Sequence, residues 1–283
     1  MVTAADIKTL RARTGVGMSK CKNALEEAGG DIETAIANLR KSGMANAVKK
    51  EGRETSEGAI AFHIEGTTLA IVELSAETDF VVNNDGFRTF LNQITKQAAL
   101  QKTTTVEQLN NSPFIEDTSV TVDQQRAVVM QSLGENIQIK RIQVLEKSSE
   151  EQFGVYSHMG GKIVSAVTLG TTAQQEQIAE LANDLAMQVA ASSPEFVLPE
   201  EIPTERIESE KDIARSQMKG KPENMLEKII AGKLNAYYKE CCLVHQPFFK
   251  ETKKSVNDIV EQHAKQIKTP ITVKAMLRWS VKA

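Results

Sequence analysis

The sequence has few cysteines and few aromatic residues, and it has no long hydrophobic run. Three cysteines in 283 residues, two of them adjacent, do not supply a disulfide framework, so we expect a reducing compartment. No run approaches the roughly 18 apolar residues of a transmembrane helix, and the N-terminus lacks the apolar segment of a signal peptide. These absences predict a cytoplasmic protein that makes no membrane contact.

Several functional signatures are also absent. A net charge of −3 excludes a generally basic surface, and the short basic group at Lys49, Lys50 and Arg53 has no interleaved aromatic residues, so we expect no nucleic-acid partner. The chain contains no phosphate-binding loop of the Walker type, no dinucleotide fingerprint, no nucleophile elbow and no His/Cys metal spacing. We therefore expect no cofactor and no metal, and a protein that is not an enzyme.

The composition, at 41% hydrophobic and 25% charged residues, is that of an ordinary globular protein, and the length of 283 residues predicts two or three modules. The order of strands and helices predicts an α+β fold. Residues 1–45 predict three short helices, the first opened by Thr3 and Asp6 as a capping box and the second with Met18, Cys21 and Leu25 at inward spacing. Such a small core suits a docking module, in which Cys21 packs rather than reacts. Residues 46–57 are polar and predict a linker.

The centre of the chain repeats one order of elements. Residues 58–100 predict a strand, a turn, a second strand, a loop and a helix, and residues 153–192 repeat that order. We expect two half-domains with antiparallel sheets and helices, at 58–150 and 151–203. Between the repeats, Thr103–Asp123 is polar and predicts a surface excursion.

Residues 204–245 predict an antiparallel helical hairpin that turns at Lys219-Gly220-Lys221-Pro222, where glycine and proline break the helix. Cys241 and Cys242 have no metal-ligand partners at suitable spacing and are interpreted as packing residues. Residues 246–283 predict a return helix and a final strand of the core.

Thr78, Asp79, Phe80 and Val81 form the stretch with the strongest functional signal. They follow a β-rich run, and the apolar pair stands between polar and amide residues. Two interpretations remain open at this point: the apolar residues insert into a partner, or Phe80 folds back and seals the end of the core.

Three motifs resemble the elongation factor Ts family. They are Leu10-Arg11-x-x-Thr14-Gly15-x-Gly17-Met18-x-x-Cys21-Lys22-x-Ala24-Leu25, Glu73-Leu74-x-x-Glu77-Thr78-Asp79-Phe80-Val81, and Leu133-Gly134-Glu135-Asn136-Ile137 with Lys140-Arg141. The resemblance implies a duplicated core and a protruding coiled coil, and the first three helices also resemble ubiquitin-associated (UBA) domains. The resemblance to the elongation factor Ts family further implies that the chain is a guanine-nucleotide exchange factor for the GTPase elongation factor Tu.

The resemblance also implies site residues. Thr78, Asp79, Phe80 and Val81 are expected to bind elongation factor Tu and to dislodge its Mg²⁺. Lys22, on the second helix of the docking module, and His158, at the place where the family has a histidine that faces its GTPase, are further candidate contacts. For His158 a role as a hydrogen-bonded structural histidine is the open alternative. His63, at the position that corresponds to His158 in the first repeat, is interpreted as structural. A protein-binding scaffold with a UBA-like module remains the alternative function.

Overall fold

The computed structural model describes residues 2–217 and 223–281, and within them the chain is a mixed α+β protein. Its helices are α1 Ala4–Thr14, α2 Met18–Glu27, α3 Ile32–Lys50, α4 Asp79–Val82, α5 Asp85–Gln101, α6 Val106–Asn111, α7 Val122–Leu133, α8 Gln175–Ser192, α9 Thr204–Gln217, α10 Glu223–Cys241 and α11 Val256–Ile267. Its strands are β1 Glu57–Glu65, β2 Thr68–Ala76, β3 Pro113–Phe114, β4 Asp117–Thr121, β5 Ile137–Glu146, β6 Glu151–His158, β7 Ile163–Gly170, β8 Pro247–Phe248, β9 Glu251–Ser255 and β10 Thr272–Ser280. No helix in these ranges combines the length and apolar character that a membrane span requires.

The chain divides into two compact units. The first consists of Met1–Glu146, Met159–Ile163 and Ser280–Ala283, and the second consists of Lys147–His158 and Val164–Trp279. The first contains a sheet of order β1-β2-β5, in which both pairings are antiparallel. The second is built on a sheet of order β10-β7-β6.

Helices α1 to α3 bury a small apolar cluster that includes Leu10, Cys21 and Leu25. The capping box that the sequence predicts is present, because Thr3 and Asp6 each accept the other's backbone N–H. The Cys21 thiol donates to the carbonyl of Val16 at 3.2 Å, which agrees with a packing role. Met18 is 44% exposed and does not face inward as its spacing predicts.

Helix α3 extends into the segment that the sequence predicts as a linker. Residues 46–50 are helical, Ala47 is buried against the sheet core, and the Lys50 ammonium donates to the carbonyl of Gly134 at 2.7 Å. Further contacts join Gln131 to Ser42 and Arg40 to Asp117, at 3.1 and 2.6 Å. These contacts hold the three helices on the rest of the first unit.

The core of the first unit lies between its sheet and α5. Every residue of β2 is buried. Helix α5 presents four essentially inaccessible apolar residues three or four positions apart along one face: Phe87, Phe90, Leu91 and Ile94. The Thr103–Asp123 segment is not a polar surface excursion. It forms α6, β3 and β4, and its Leu109, Phe114 and Val120 are buried in the same core.

The order of elements in the first unit recurs in the second. The order β1-β2-α5-β3-β4-α7-β5 becomes β6-β7-α8-β8-β9-α11-β10. One buried glutamine in each copy makes matching bonds: the Gln97 amide donates to the carbonyl of Pro113 and accepts from the N–H of Ile115. In the second unit the Gln188 amide does the same with Pro247 and Phe249.

Helices α9 and α10 are inserted between α8 and β8, and the two helices contact each other. The segment that follows α8 is joined to the end of α10, because the backbone N–H groups of Glu195 and Phe196 both donate to the carbonyl of Cys241. The turn predicted at Lys219–Pro222 lies outside the described residues, so the hairpin stays a prediction.

Candidate functional site

Phe80 projects from the short helix α4, which follows directly after β2. The side chain of Phe80 is 84% exposed and Asp79 beside it is exposed as well, whereas Val81 and Val82 are 8% and 1% exposed. Successive side chains on a helix point about 100° apart. One helical turn therefore places Asp79 and Phe80 on the exposed side and the two valines on the buried side. The interpretation that Phe80 seals the core is therefore wrong, because the two valines fill that position.

Val81 differs from Asp79 and Phe80 in its burial. It packs in the core of the first unit and seats α4 there, while its contact with a partner stays a prediction. Among the four predicted residues, Asp79 and Phe80 are the two with exposed side chains, and Thr78 is partly buried.

Thr78 anchors the start of α4 to the turn that follows α7. The carboxylate of Glu135 accepts the backbone N–H of Thr78 at 3.0 Å and its hydroxyl at 2.6 Å. Thr78 is the N-cap residue of α4, but its side chain makes no capping bond within the helix and donates to Glu135. Bonds to an ionised acceptor are about twice as strong as neutral ones, so Glu135 fixes where α4 begins.

The same turn also holds the chain that follows α3. The N–H of Asn136 donates to the Glu77 carboxylate at 2.6 Å. The side chain of Asn136 is fully buried, and its amide donates to the carbonyls of Arg53 and Glu51 at 2.8 and 3.4 Å. The ends of β2, α3 and α7 therefore meet at one hydrogen-bonded junction, which includes Thr78, the residue before Asp79.

Lys22 and His158 are not part of this junction. Lys22 is an exposed residue of α2 in the first unit, 3.7 Å from Glu26 one turn along the helix. His158 is the last residue of β6, in the second unit, where its Nδ1 lies 3.0 Å from the hydroxyl of Tyr156. His63 lies 3.4 Å from Glu65 on its own strand, an arrangement compatible with a structural role.

Sequence reasoning assigned no role to Glu135 or Asn136, which carry the junction together with Glu77. Glu135 and Asn136 lie within the third motif, but their partners lie 57 and 59 residues away. The signal that could have identified them is an acidic and an amide residue directly after a helix-ending glycine, Gly134, which has a φ of 86°.

Within residues 2–217 and 223–281, no group of three or more His, Cys, Asp or Glu side chains is arranged to hold a metal ion. All three cysteines are buried, and burial raises the pKa of Cys242 to about 12, so that thiol stays protonated at neutral pH. What remains is an exposed aromatic ring beside a carboxylate, on a rigidly held helical turn.

Comparison with known proteins places this arrangement in one class, the translation elongation factors. A family model described as "Elongation factor TS" matches residues 77–282. Elongation factor Ts of Protochlamydia amoebophila (strain UWE25) is 51% identical over 280 residues, which cover 99% of this chain and 98% of that protein. Elongation factor Ts of Chlamydia caviae and that of Chlamydia pneumoniae are each 41% identical over 277 residues, covering 98% of this chain and 97% of each relative. The chain belongs to the elongation factor Ts family.

Proposed function

We propose that this chain is the guanine-nucleotide exchange factor for elongation factor Tu in translation elongation. It binds the GDP-bound and nucleotide-free GTPase in the cytoplasm, breaks no covalent bond and needs no cofactor, membrane or nucleic acid. Membership of the family supports this role, since the similarity to the relatives covers nearly the whole chain.

The mechanism centres on Asp79 and Phe80. Phe80 inserts into an apolar crevice of the GTPase beside its metal site and displaces the surrounding segments. Asp79 perturbs the charge and hydrogen bonds around Mg²⁺, so that the ion's hold on the phosphates is lost. The observation that carries this proposal is the 84% exposure of Phe80, because a large apolar ring held in water on a rigid turn gains free energy by burial in a partner.

The other modules serve as docking surfaces. The UBA-like helices of residues 1–45 contact the nucleotide-binding domain, with Lys22 on their outer face. The half-domain of residues 151–203 contacts another domain of the GTPase through His158. The helical hairpin of residues 204–245 protrudes from the core.

The alternative function is a scaffold that binds proteins through its UBA-like helices and does not exchange nucleotide. Three exposed apolar residues on α2 and α3 favour it: Met18, Met44 and Val48, which are 44%, 39% and 67% exposed.

Release of a fluorescent GDP from elongation factor Tu separates the two functions. We expect substoichiometric amounts of the chain to accelerate release, because an exchange factor turns over and a scaffold does not. Phe80→Ala removes the aromatic ring that would be buried in the proposed complex. It should cost about 2–4 kcal/mol of the free energy that couples binding of the chain to release of GDP. Phe249→Ala, at a phenylalanine 39% exposed in the second unit, is the matched control and should retain the wild-type rate. A folded Phe80→Ala protein that exchanges GDP normally would exclude this mechanism.

A further inference from the structure

Met159 is a second strongly exposed apolar residue, and it stands in a backbone conformation that its side chain disfavours. Its side chain is 71% exposed, the highest value after Phe80 among the large hydrophobics of the described residues. Its φ is 49°, and Gly160 and Gly161 continue the left-handed run at 63° and 88°. A left-handed residue other than glycine is sterically strained, so the surrounding structure must hold this turn in place.

The turn is held by strand β1. A Cβ atom on Gly161 would lie 2.5 Å from the carbonyl oxygen of Ile60, so at this position the backbone of the turn lies directly on the strand. The N–H of Lys162 donates to the carbonyl of Met159 at 3.4 Å and closes the turn. The backbone is thereby pinned to the first unit while the methionine side chain remains in solvent.

One guanidinium group connects this turn to the helix that carries Phe80. Arg88, on α5, donates through Nη1 to the carbonyl of Gly160 at 2.6 Å and through Nη2 to Oδ1 of Asn83 at 3.4 Å. Asn83 is the C-cap residue of α4, and Gly160 directly follows Met159. Because the guanidinium is planar and its donors point in fixed directions, the two acceptors are held at a set separation.

We propose that Phe80 and Met159 form one two-point apolar contact surface for the GTPase, and that Arg88 is the positioning residue that sets the spacing of the two points. The inference rests on the proposed function and deepens it. The occupant is a GTPase surface with two apolar depressions: one receives a rigid aromatic ring, and the other receives a flexible thioether that adapts to an irregular cavity. Continuity with the Phe80 surface through Arg88 is the reason to assign both points to one partner.

Affinity for nucleotide-free elongation factor Tu, measured by titration calorimetry with the full chain, tests the surface. In Met159→Asn the apolar contact is lost but the left-handed backbone is tolerated, and we expect the affinity to fall about fivefold. Leu100→Asn is the matched control, since Leu100 is 45% exposed near the far end of the helix that carries Arg88, and it should bind normally.

Non-additivity tests the positioning role. Arg88→Ala should lower the affinity about fivefold in the wild-type background and have little further effect in Met159→Asn, because the spacing matters only while both points exist. Arg88→Lys, which offers one compact donor group instead of a fork, should give an intermediate loss. Urea unfolding of each variant shows whether it is folded.

Two results would overturn the inference. Unchanged affinity in Met159→Asn removes the second point, and additive losses in Arg88→Ala and the double variant remove the positioning role. Both leave the exchange function intact, provided that the wild-type chain accelerates GDP release. A wild-type chain that fails to bind the GTPase would overturn the proposed function and this inference together.

Discussion

At the scale of single residues, burial separates neighbours that look equivalent in the sequence. Phe80 and Val81 are adjacent apolar residues in a polar frame, and the sequence predicts a functional segment there. It does not predict which of the two faces water, because that depends on how one turn of helix is rotated on the core. The role of Glu135 is equally hidden, since it depends on a pairing across 57 residues.

Replacement of Glu135 by glutamine tests the anchoring of α4. An amide has one acceptor oxygen in place of two charged ones, so at least one bond from Thr78 weakens. We expect the free energy of unfolding to fall by about 1–2 kcal/mol and GDP release to slow, because Phe80 is less firmly held. Urea denaturation and the exchange assay measure the two effects. Glu116→Gln, at an exposed glutamate, is the control, and equal behaviour of the two variants would contradict the anchoring role.

Glu151 gives a pH dependence in the second unit. The N–H of Ser148 and the ammonium of Lys274 both donate to its carboxylate at 2.9 Å, which lowers its pKa from 4.5 to about 2. A lowered pKa in the folded state stabilises the fold above the unfolded value near 4.5, and this stability is lost as pH falls toward 2. Glu151→Gln should lower stability at pH 7 by about 0.5–1 kcal/mol, since the group is near the surface, and flatten the loss in acid. Thermal unfolding of the wild-type chain and of Glu151→Gln between pH 7 and 2 measures both effects. Parallel curves of stability against pH for these two proteins would contradict the role of Glu151.

At the scale of elements, long periodic segments were predicted and short ones were not. Helices α5 and α8 follow from apolar residues three and four apart, as at Ile178, Leu181, Leu185 and Val189, all of which are buried. The elements α6, β3 and β4 escaped prediction because a strand of two residues has no period. Each of these elements contributes one buried apolar residue, so a polar composition hides a folded segment.

The matched glutamines predict that the two units depend on the same bond pattern. In Gln97→Ala the N–H of Ile115 and the carbonyl of Pro113 lose their side-chain partner, and in Gln188→Ala the same happens to Phe249 and Pro247. Each change should lower the free energy of unfolding by about 1–3 kcal/mol. Asn92→Ala, at an exposed position of α5, is the control for urea denaturation, and a loss as small as that control in either unit would show that the bonds are dispensable there.

At the scale of the whole molecule, the N-terminal helices and the Phe80 segment meet at one junction. Asn136 bonds to the chain after α3, and Glu135 beside it bonds to Thr78. The polar composition of residues 46–57 predicted a linker, yet the helix that enters this stretch is packed and hydrogen-bonded. Composition reports solvent exposure on average, and α3 exposes one face while it buries another.

Linkage fixes how the whole chain and the nucleotide affect each other. If the chain weakens the binding of GDP to elongation factor Tu by some factor, GDP must weaken the binding of the chain by the same factor. Titration calorimetry should give two equal ratios. The first is the affinity of the chain for the nucleotide-free GTPase divided by its affinity for the GDP-bound GTPase. The second is the affinity of the GTPase for GDP without the chain divided by its affinity for GDP with the chain. A ratio near one in both cases would contradict the proposed exchange function.

The segment that contains α9 and α10 has its two ends joined, and this has a consequence for how the sequence can gain or lose residues there. The bridge between Phe196 and Cys242 brings the two ends of a long insertion side by side, at the position where the other unit carries only the short helix α6. Since the two ends are already neighbours, residues can be added to or removed from the insertion between them without a change in the sheet of the second unit. The position is therefore a natural place for insertions and deletions.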